Sequence, residues 1–202
     1  MHMRVDQQVI ADMIAPCSRV LDVGSGDGSL IGHLFRTRAC DAQGIELSME
    51  AVTHSVAHGL PVIQGDADHD LIHYPNDSFD YVVLQRTLQA VERPREVLRQ
   101  MLRIGEHAIV SFPNFGHWRL RLQLLYTGRM PMTSVWATPW HETPNIHPCT
   151  IKDFFALCEE DGYVVEHWTT VNERGRRAPW YYSPRLANLC GEQALFLLRR
   201  KI

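Results

Sequence analysis

The chain has 202 residues, 45% hydrophobic and 21% charged, with a net charge of −3. That is enough to bury a full core as one domain spanning 1–202, and it excludes a disordered, fibrous or strongly basic protein. No global positive field draws in nucleic acid or an anionic membrane, and no apolar run approaches the ~18 residues of a membrane helix. Asp6 and Asp12 interrupt the N-terminal apolars, which does not suit a signal peptide. The five cysteines are scattered without a C-x-x-C and read as reduced thiols of a cytoplasmic protein.

Val5 to Ala15 reads as an amphipathic helix on Val9, Ile10 and Met13, ended by Pro16. Arg19 to Val23 reads as a buried strand and runs into Gly24-Ser25-Gly26-Asp27-Gly28. A strand, a glycine turn and a helix opening at Ser29 make a nucleotide-type pocket at the carboxyl edge of a sheet. A dinucleotide fingerprint needs glycine where Ser29 stands, so the spacing favours an adenosine with a small polar tail over a pyrophosphate. A helix over Ser29–Thr37 leads to a strand over Ala42–Glu46. A carboxylate at that tip accepts both ribose hydroxyls. A helix over Met49–Ala57 and a strand over Pro61–Gln64 follow, and Asp66 after this strand suits the exocyclic amine of adenine. The nearly continuous apolar strand Phe79–Leu84 fits a position covered on both faces. Pro94 opens a helix with Val97, Leu98, Met101 and Leu102 as its buried stripe, and His107–Ser111 is the next strand. Glu46 alone could cap a helix and Asp66 alone could stabilise a turn. Their order and spacing together favour a site. The alternation predicts an α/β, doubly wound, mainly parallel Rossmann-like sheet.

In the last third, Thr150 and Asp153 have capping-box spacing ahead of Phe154, Phe155, Leu157 and Cys158. Gly162 ends that helix. Strands are expected over Tyr163–Thr169 and Gln193–Leu198, while Val171 to Glu192 shows no period. Phe112 to Pro148 reads as an aromatic, proline-shaped insertion. Within it, His117–Tyr126 reads as a helix with Trp118, Leu122 and Leu125 on one face. Aromatics commonly fill a core, but a proline-shaped loop of this content over a pocket mouth is a substrate lid or a docking surface, with Trp136 and Arg129 as candidate anchors. His117 and His141 are the candidate bases, and neither has an orienting acid in sequence. The strand end Leu84-Gln85-Arg86-Thr87 lacks the Asn/Asp-Pro-Pro-aromatic signature of adenine methylation. His141, His147 and Cys149 lack a second ligand pair at metal-site spacing, so no metal is expected.

These residues resemble the class I S-adenosylmethionine (SAM) methyltransferases. The segments Gln85–Ala90, Arg93–Leu98, Ser111–Trp118 and Thr143–His147 narrow the resemblance to the MetW family of methionine-biosynthesis proteins, over about Arg4 to Trp168. Ser25, where cysteine is commoner in relatives, and Arg86 depart from the pattern. The resemblance implies a seven-stranded sheet with an antiparallel last strand. It implies SAM or S-adenosylhomocysteine as ligand, held by Asp22, Gly24, Gly26, Gly28, Glu46, Leu47, Asp66, Ala67 and Gln85. It also implies partnership with a homoserine O-acyltransferase. The alternative is a SAM-dependent methyltransferase acting on a small molecule, with catalytic residues that the sequence does not name.

Overall fold

The structure, a computed structural model, describes residues 4–133, 136–172 and 183–201. Its centre is β1 (Arg19–Val23), whose Val20, Leu21 and Val23 are fully buried. On one side β1 pairs in parallel with β2 (Asp41–Glu46), and β2 with β3 (Val62–Gln64). On the other side it pairs with β4 (Phe79–Gln85), and β4 with β5 (Gly105–Pro113). The chain therefore winds outward from β1 in one direction and then returns to wind in the other. The carboxyl ends of β1 and β4 diverge at this switch point, which is where open α/β sheets take ligands.

The seven-stranded order is β3-β2-β1-β4-β5-β7-β6. The last strand, β7 (Gln193–Arg200), is antiparallel to both β5 and β6 (Tyr163–Val171), in agreement with the sequence expectation. One face is covered by α1 (Val5–Met13), α2 (Ser29–Arg38) and α3 (Met49–Ala57), through Ile10, Ile14, Leu30, Ile31 and Leu34. The other is covered by α4 (Pro94–Ile104) and α6 (Ile151–Glu160), around Phe112, Phe154 and Phe196. The capping box of α6 forms as its spacing dictates. The Asp153 N–H donates to Thr150 Oγ1 at 3.3 Å, and the Thr150 N–H to Asp153 Oδ2 at 2.9 Å.

Two features add to the sequence reading and one expectation is corrected. The aperiodic stretch before β7 contains a helix, α7 (Pro184–Cys190), opened by proline at its first turn and too short to show a period. The insertion helix, α5 (Trp118–Thr127), buries Leu120, while Trp118, Leu122 and Leu125 face solvent. Trp136 is not a surface anchor. It is buried edge-on against Phe115 at 5.2 Å between ring centres.

The insertion is joined to the sheet at Asn114, which is fully buried. Its Nδ2 donates to the carbonyls of Asn188 at 2.9 Å and Gly191 at 2.7 Å. Its Oδ1 accepts from the N–H groups of Gly116 at 2.9 Å and Ile151 at 3.3 Å. A Cβ on Gly116 would meet Asn188 Oδ1 at 2.8 Å, so glycine is the residue that lets the chain close around this amide. One side chain thus ties the end of β5 to the start of α6 and the end of α7. Asn114→Ala strands these buried backbone groups, at a cost of about 3 kcal/mol or more. Calorimetry should show Tm falling by roughly 6–12 °C in a chain of this size. A Tm within about 1 °C of wild type would contradict the role given to Asn114.

Candidate functional site

The loop from β1 to α2 has left-handed backbone at each glycine, with φ +70° at Gly24, +56° at Gly26 and +68° at Gly28. The three are needed for different reasons. A Cβ on Gly24 would meet Thr87 Oγ1 at 2.7 Å, and one on Gly28 would meet Leu60 Cδ1 at 2.6 Å. A Cβ on Gly26 would meet nothing within 4 Å. Gly24 and Gly28 are therefore glycines because protein crowds them. Gly26 presents bare backbone to open space at the carboxyl edge of the sheet. The loop is pinned to β2 by the N–H groups of Gly24 and Ser25, both donating to the Ile45 carbonyl at 2.8 and 3.2 Å.

Glu46 ends β2 and clamps the same loop. Its Oε2 accepts from the Gly26 N–H at 2.8 Å and its Oε1 from the Ser48 N–H at 3.0 Å. Each oxygen retains acceptor capacity, so the carboxylate is fixed in direction and still able to take hydroxyl donors. Asp66 closes a turn after β3, accepting from the Asp68 N–H at 2.9 Å and from His69 Nδ1 at 2.9 Å. The Asp68 N–H, and then His69, hold its carboxyl below the usual range. Between these acids lies a cavity of about 240 Å³ walled by Gly24, Glu46, Leu47, Asp66 and Ala67. This is just under the ~300–1,000 Å³ of whole small-molecule sites, and so suits one end of a larger ligand. Ile45, Gly65, Asp68, Thr87, Ala90 and Val91 complete the wall and were not singled out from sequence. For Thr87, Ala90 and Val91 the available signal was their place directly after β4.

Asp22 and Gln85 lie off this wall, at the adjoining ends of β1 and β4. Asp22 is fully buried, and Gln85 Nε2 donates to its two oxygens at 3.0 and 3.3 Å. Burial pushes the Asp22 carboxyl up to about 7, against the opposing effect of Gln85. Neither candidate base lies on the cavity wall. His117 is buried and caps α5. His141 is exposed, with its Nε2 3.7 Å from Glu142. Among the described residues no group of three His, Cys, Asp or Glu side chains is placed to hold a metal ion, and no helix is long and apolar enough to cross a membrane.

This sheet order and glycine loop define the protein as an α/β chain of the class I SAM-methyltransferase fold. The fold is shared with a SAM-dependent methyltransferase from Mesorhizobium loti, at TM-score 0.70 and 19% identity over 98% of both chains. It is shared as well with the [4+2]-cyclase SpnF, at TM-score 0.67 and 18% identity, over 97% of this chain and 80% of that one. The profile of the methionine biosynthesis protein MetW matches residues 4–198, and the chain belongs to that family. A relative from Rhodopirellula baltica, the bifunctional methionine biosynthesis protein MetXA/MetW, is 37% identical over 173 residues. The match covers 81% of this chain and 28% of that relative's length.

Two outcomes test this geometry without any ligand. Gly24→Ala and Gly28→Ala should melt well below Gly26→Ala, because only the first two add a clash to the strain of φ > 0. Equal melting of all three would refute the assignment of crowding. Asp22 holds its proton more tightly folded than unfolded. Its contribution to stability is therefore complete below about pH 4 and lost as pH rises toward 7. Subtracting the stability–pH curve of Asp22→Asn from that of wild type should give a difference falling over that interval. A flat difference would contradict the burial effect.

Proposed function

We propose that the protein binds SAM or S-adenosylhomocysteine in this cleft and acts as the SAM-responsive partner of a homoserine O-acyltransferase. The cofactor reading is supported by how the residues fit an adenosyl ligand. Glu46 is pre-aimed for ribose hydroxyls, and Leu47 and Ala67 offer apolar surface to an adenine ring, with Asp66 beside it. Gly26 leaves room for close backbone approach, and Asp22 with Gln85 faces the amino-acid end. Bound SAM would supply an electrophilic methyl group, while these residues bind and orient it.

The partner reading is carried by one observation. The Rhodopirellula baltica relative is named for both MetXA and MetW in one polypeptide, and we read MetXA as the acyltransferase. Fusion raises the effective concentration of two modules that work together. The surface offered to such a partner is the exposed stripe of α5: Trp118, Leu122 and Leu125, with Arg119 over the Trp118 ring at 5.5 Å. Trp140, 73% exposed in the same insertion, adds a second aromatic. An apolar, aromatic and arginine-bearing patch is the composition of a protein interface core. The second reading, methyl transfer to a small molecule, draws on the methyltransferase fold neighbours. Neither candidate histidine lies on the cavity wall, and the cyclase among the neighbours shows that this fold alone does not fix the reaction.

Glu46→Ala should weaken S-adenosylhomocysteine at least tenfold by calorimetry, since each charge-assisted hydrogen bond contributes about 1.5–3 kcal/mol. Unchanged affinity would remove Glu46 from the site. Trp118→Ala and Leu125→Asp should each weaken capture of the acyltransferase about thirtyfold, with nucleoside affinity and Tm near wild type. Wild-type capture by both variants would exclude α5 as the docking face. Methyl incorporation from labelled SAM into a small molecule, unaffected by the acyltransferase, would favour the second reading.

A further inference from the structure

Arg86 stands at the switch point, and the proposed cofactor reading gives it no task. It directly follows β4, between Gln85, which holds Asp22, and Thr87, which lines the cavity. Its backbone is left-handed at φ +56°, uncommon for a side chain of this size. That conformation is imposed by β5, because the Arg86 N–H donates to the Ser111 carbonyl at 2.8 Å and lies 3.2 Å from Ser111 Oγ. Backbone strain held in place by a neighbouring strand is a feature of ligand sites.

The side chain is half-buried, and among the described residues no carboxylate lies within ion-pair distance of it. The nearby acid is Asp6, and Asp6 is already engaged. Arg4 Nε sits 3.3 Å from its Oδ1, and Gln193 Nε2 donates to its Oδ2 at 3.2 Å. Arg4 also reaches Gln85 Oε1 at 3.5 Å. Arg4 and Arg86 therefore share the field of one carboxylate, Asp6, which Arg4 contacts, and Arg86 has no carboxylate of its own. Burial and the charge of Arg4 both lower the proton affinity of Arg86, the signature of a cation kept where it is costly. One positive charge matches a carboxylate better than a phosphate dianion, and a fork of N–H donors matches carboxylate geometry. On the other side of Gln85 stands Asp22, an anion acceptor for an ammonium group. A cationic and an anionic group flanking one glutamine are the two halves of a receptor for a zwitterion.

We propose that Arg86 is a carboxylate-binding residue that takes the α-carboxylate of an amino-acid ligand whose ammonium group lies toward Asp22. The inference rests on the adenosyl-ligand reading of the cleft. The carboxylate has two sources: the amino-acid end of the cofactor, or a separate amino acid bound beside the nucleoside.

The test compares wild type, Arg86→Gln and Arg86→Lys by calorimetry. The ligands are S-adenosylhomocysteine, 5′-methylthioadenosine, which lacks the amino-acid end, and L-methionine added to protein saturated with 5′-methylthioadenosine. If the cofactor supplies the carboxylate, Arg86→Gln weakens S-adenosylhomocysteine at least about tenfold and leaves 5′-methylthioadenosine unchanged. Arg86→Lys falls between, because it keeps the charge and loses the fork. If a separate amino acid supplies it, both nucleosides bind Arg86→Gln as they bind wild type, and only the methionine signal is lost. The ligand-free Arg86→Gln protein should melt at or above wild type, since an unpaired half-buried charge has been removed. A lower Tm would make Arg86 a structural residue, and unchanged binding in all three titrations would exclude the carboxylate site. Failure of 5′-methylthioadenosine to bind wild type would sink the adenosyl reading instead. In that case the arginine is judged by L-methionine alone, whose binding to wild type but not to Arg86→Gln sustains it and whose absence overturns it.

Discussion

A carboxylate with no countercharge in contact sits at the centre of this molecule. Asp22 lies next to the end of the central strand β1, fully buried, and its two oxygens are met by a single amide, that of Gln85. Moving an ionised carboxylate out of water is expensive unless charge or several hydrogen bonds compensate. The fold partly compensates it and otherwise leaves it poised near neutrality. A positively charged ligand group entering from the carboxyl edge would complete what the protein leaves incomplete. The glycine loop, the Glu46 clamp and Arg86 are all arranged around this edge. Each holds a polar or strained element that an apolar loop would have avoided.

The sheet makes that arrangement possible. β1 lies between β2 and β4, so residues from three parallel strands arrive at one edge. The backbone hydrogen bonds that pin the glycine loop to Ile45 fix the distance between the loop and Glu46. On the far side of the sheet end, Asn114 anchors the insertion in the core, so that α5 leaves the fold with only Leu120 buried and its apolar stripe outward. The cleft and the stripe are then two products of the same strand ends, so the proposed ligand and the proposed partner would rest on one rigid support.

Much of this was legible in the sequence. The period of the apolar residues and the glycine loop gave the alternation of strands and helices, and Thr150 with Asp153 announced a capping box. Glu46 and Asp66 drew attention by their places after β2 and β3, and the structure sets both on the wall of one cavity. What was not legible depended on contacts between distant segments. Three alternate glycines look alike, and only the positions of Thr87 and Leu60 separate Gly24 and Gly28 from Gly26. Tryptophan content marks either a core or an interface, and Trp136 and Trp118 fall on opposite sides of that choice. His117 looked like a base beside a pocket. Its local position two residues before Arg119, whose N–H it caps, gives it a helix to start instead. The helix α7 spans seven residues and carries no period to read.

The central claim is that Asp22 is kept near neutrality so that a cationic ligand group can ionise it. Calorimetry of S-adenosylhomocysteine at pH 6.5, repeated in buffers of different ionisation enthalpy, counts the protons exchanged on binding. The account predicts release of a large fraction of one proton by wild type and none by Asp22→Asn. Binding to wild type with no proton release, or equal release by both proteins, would contradict it.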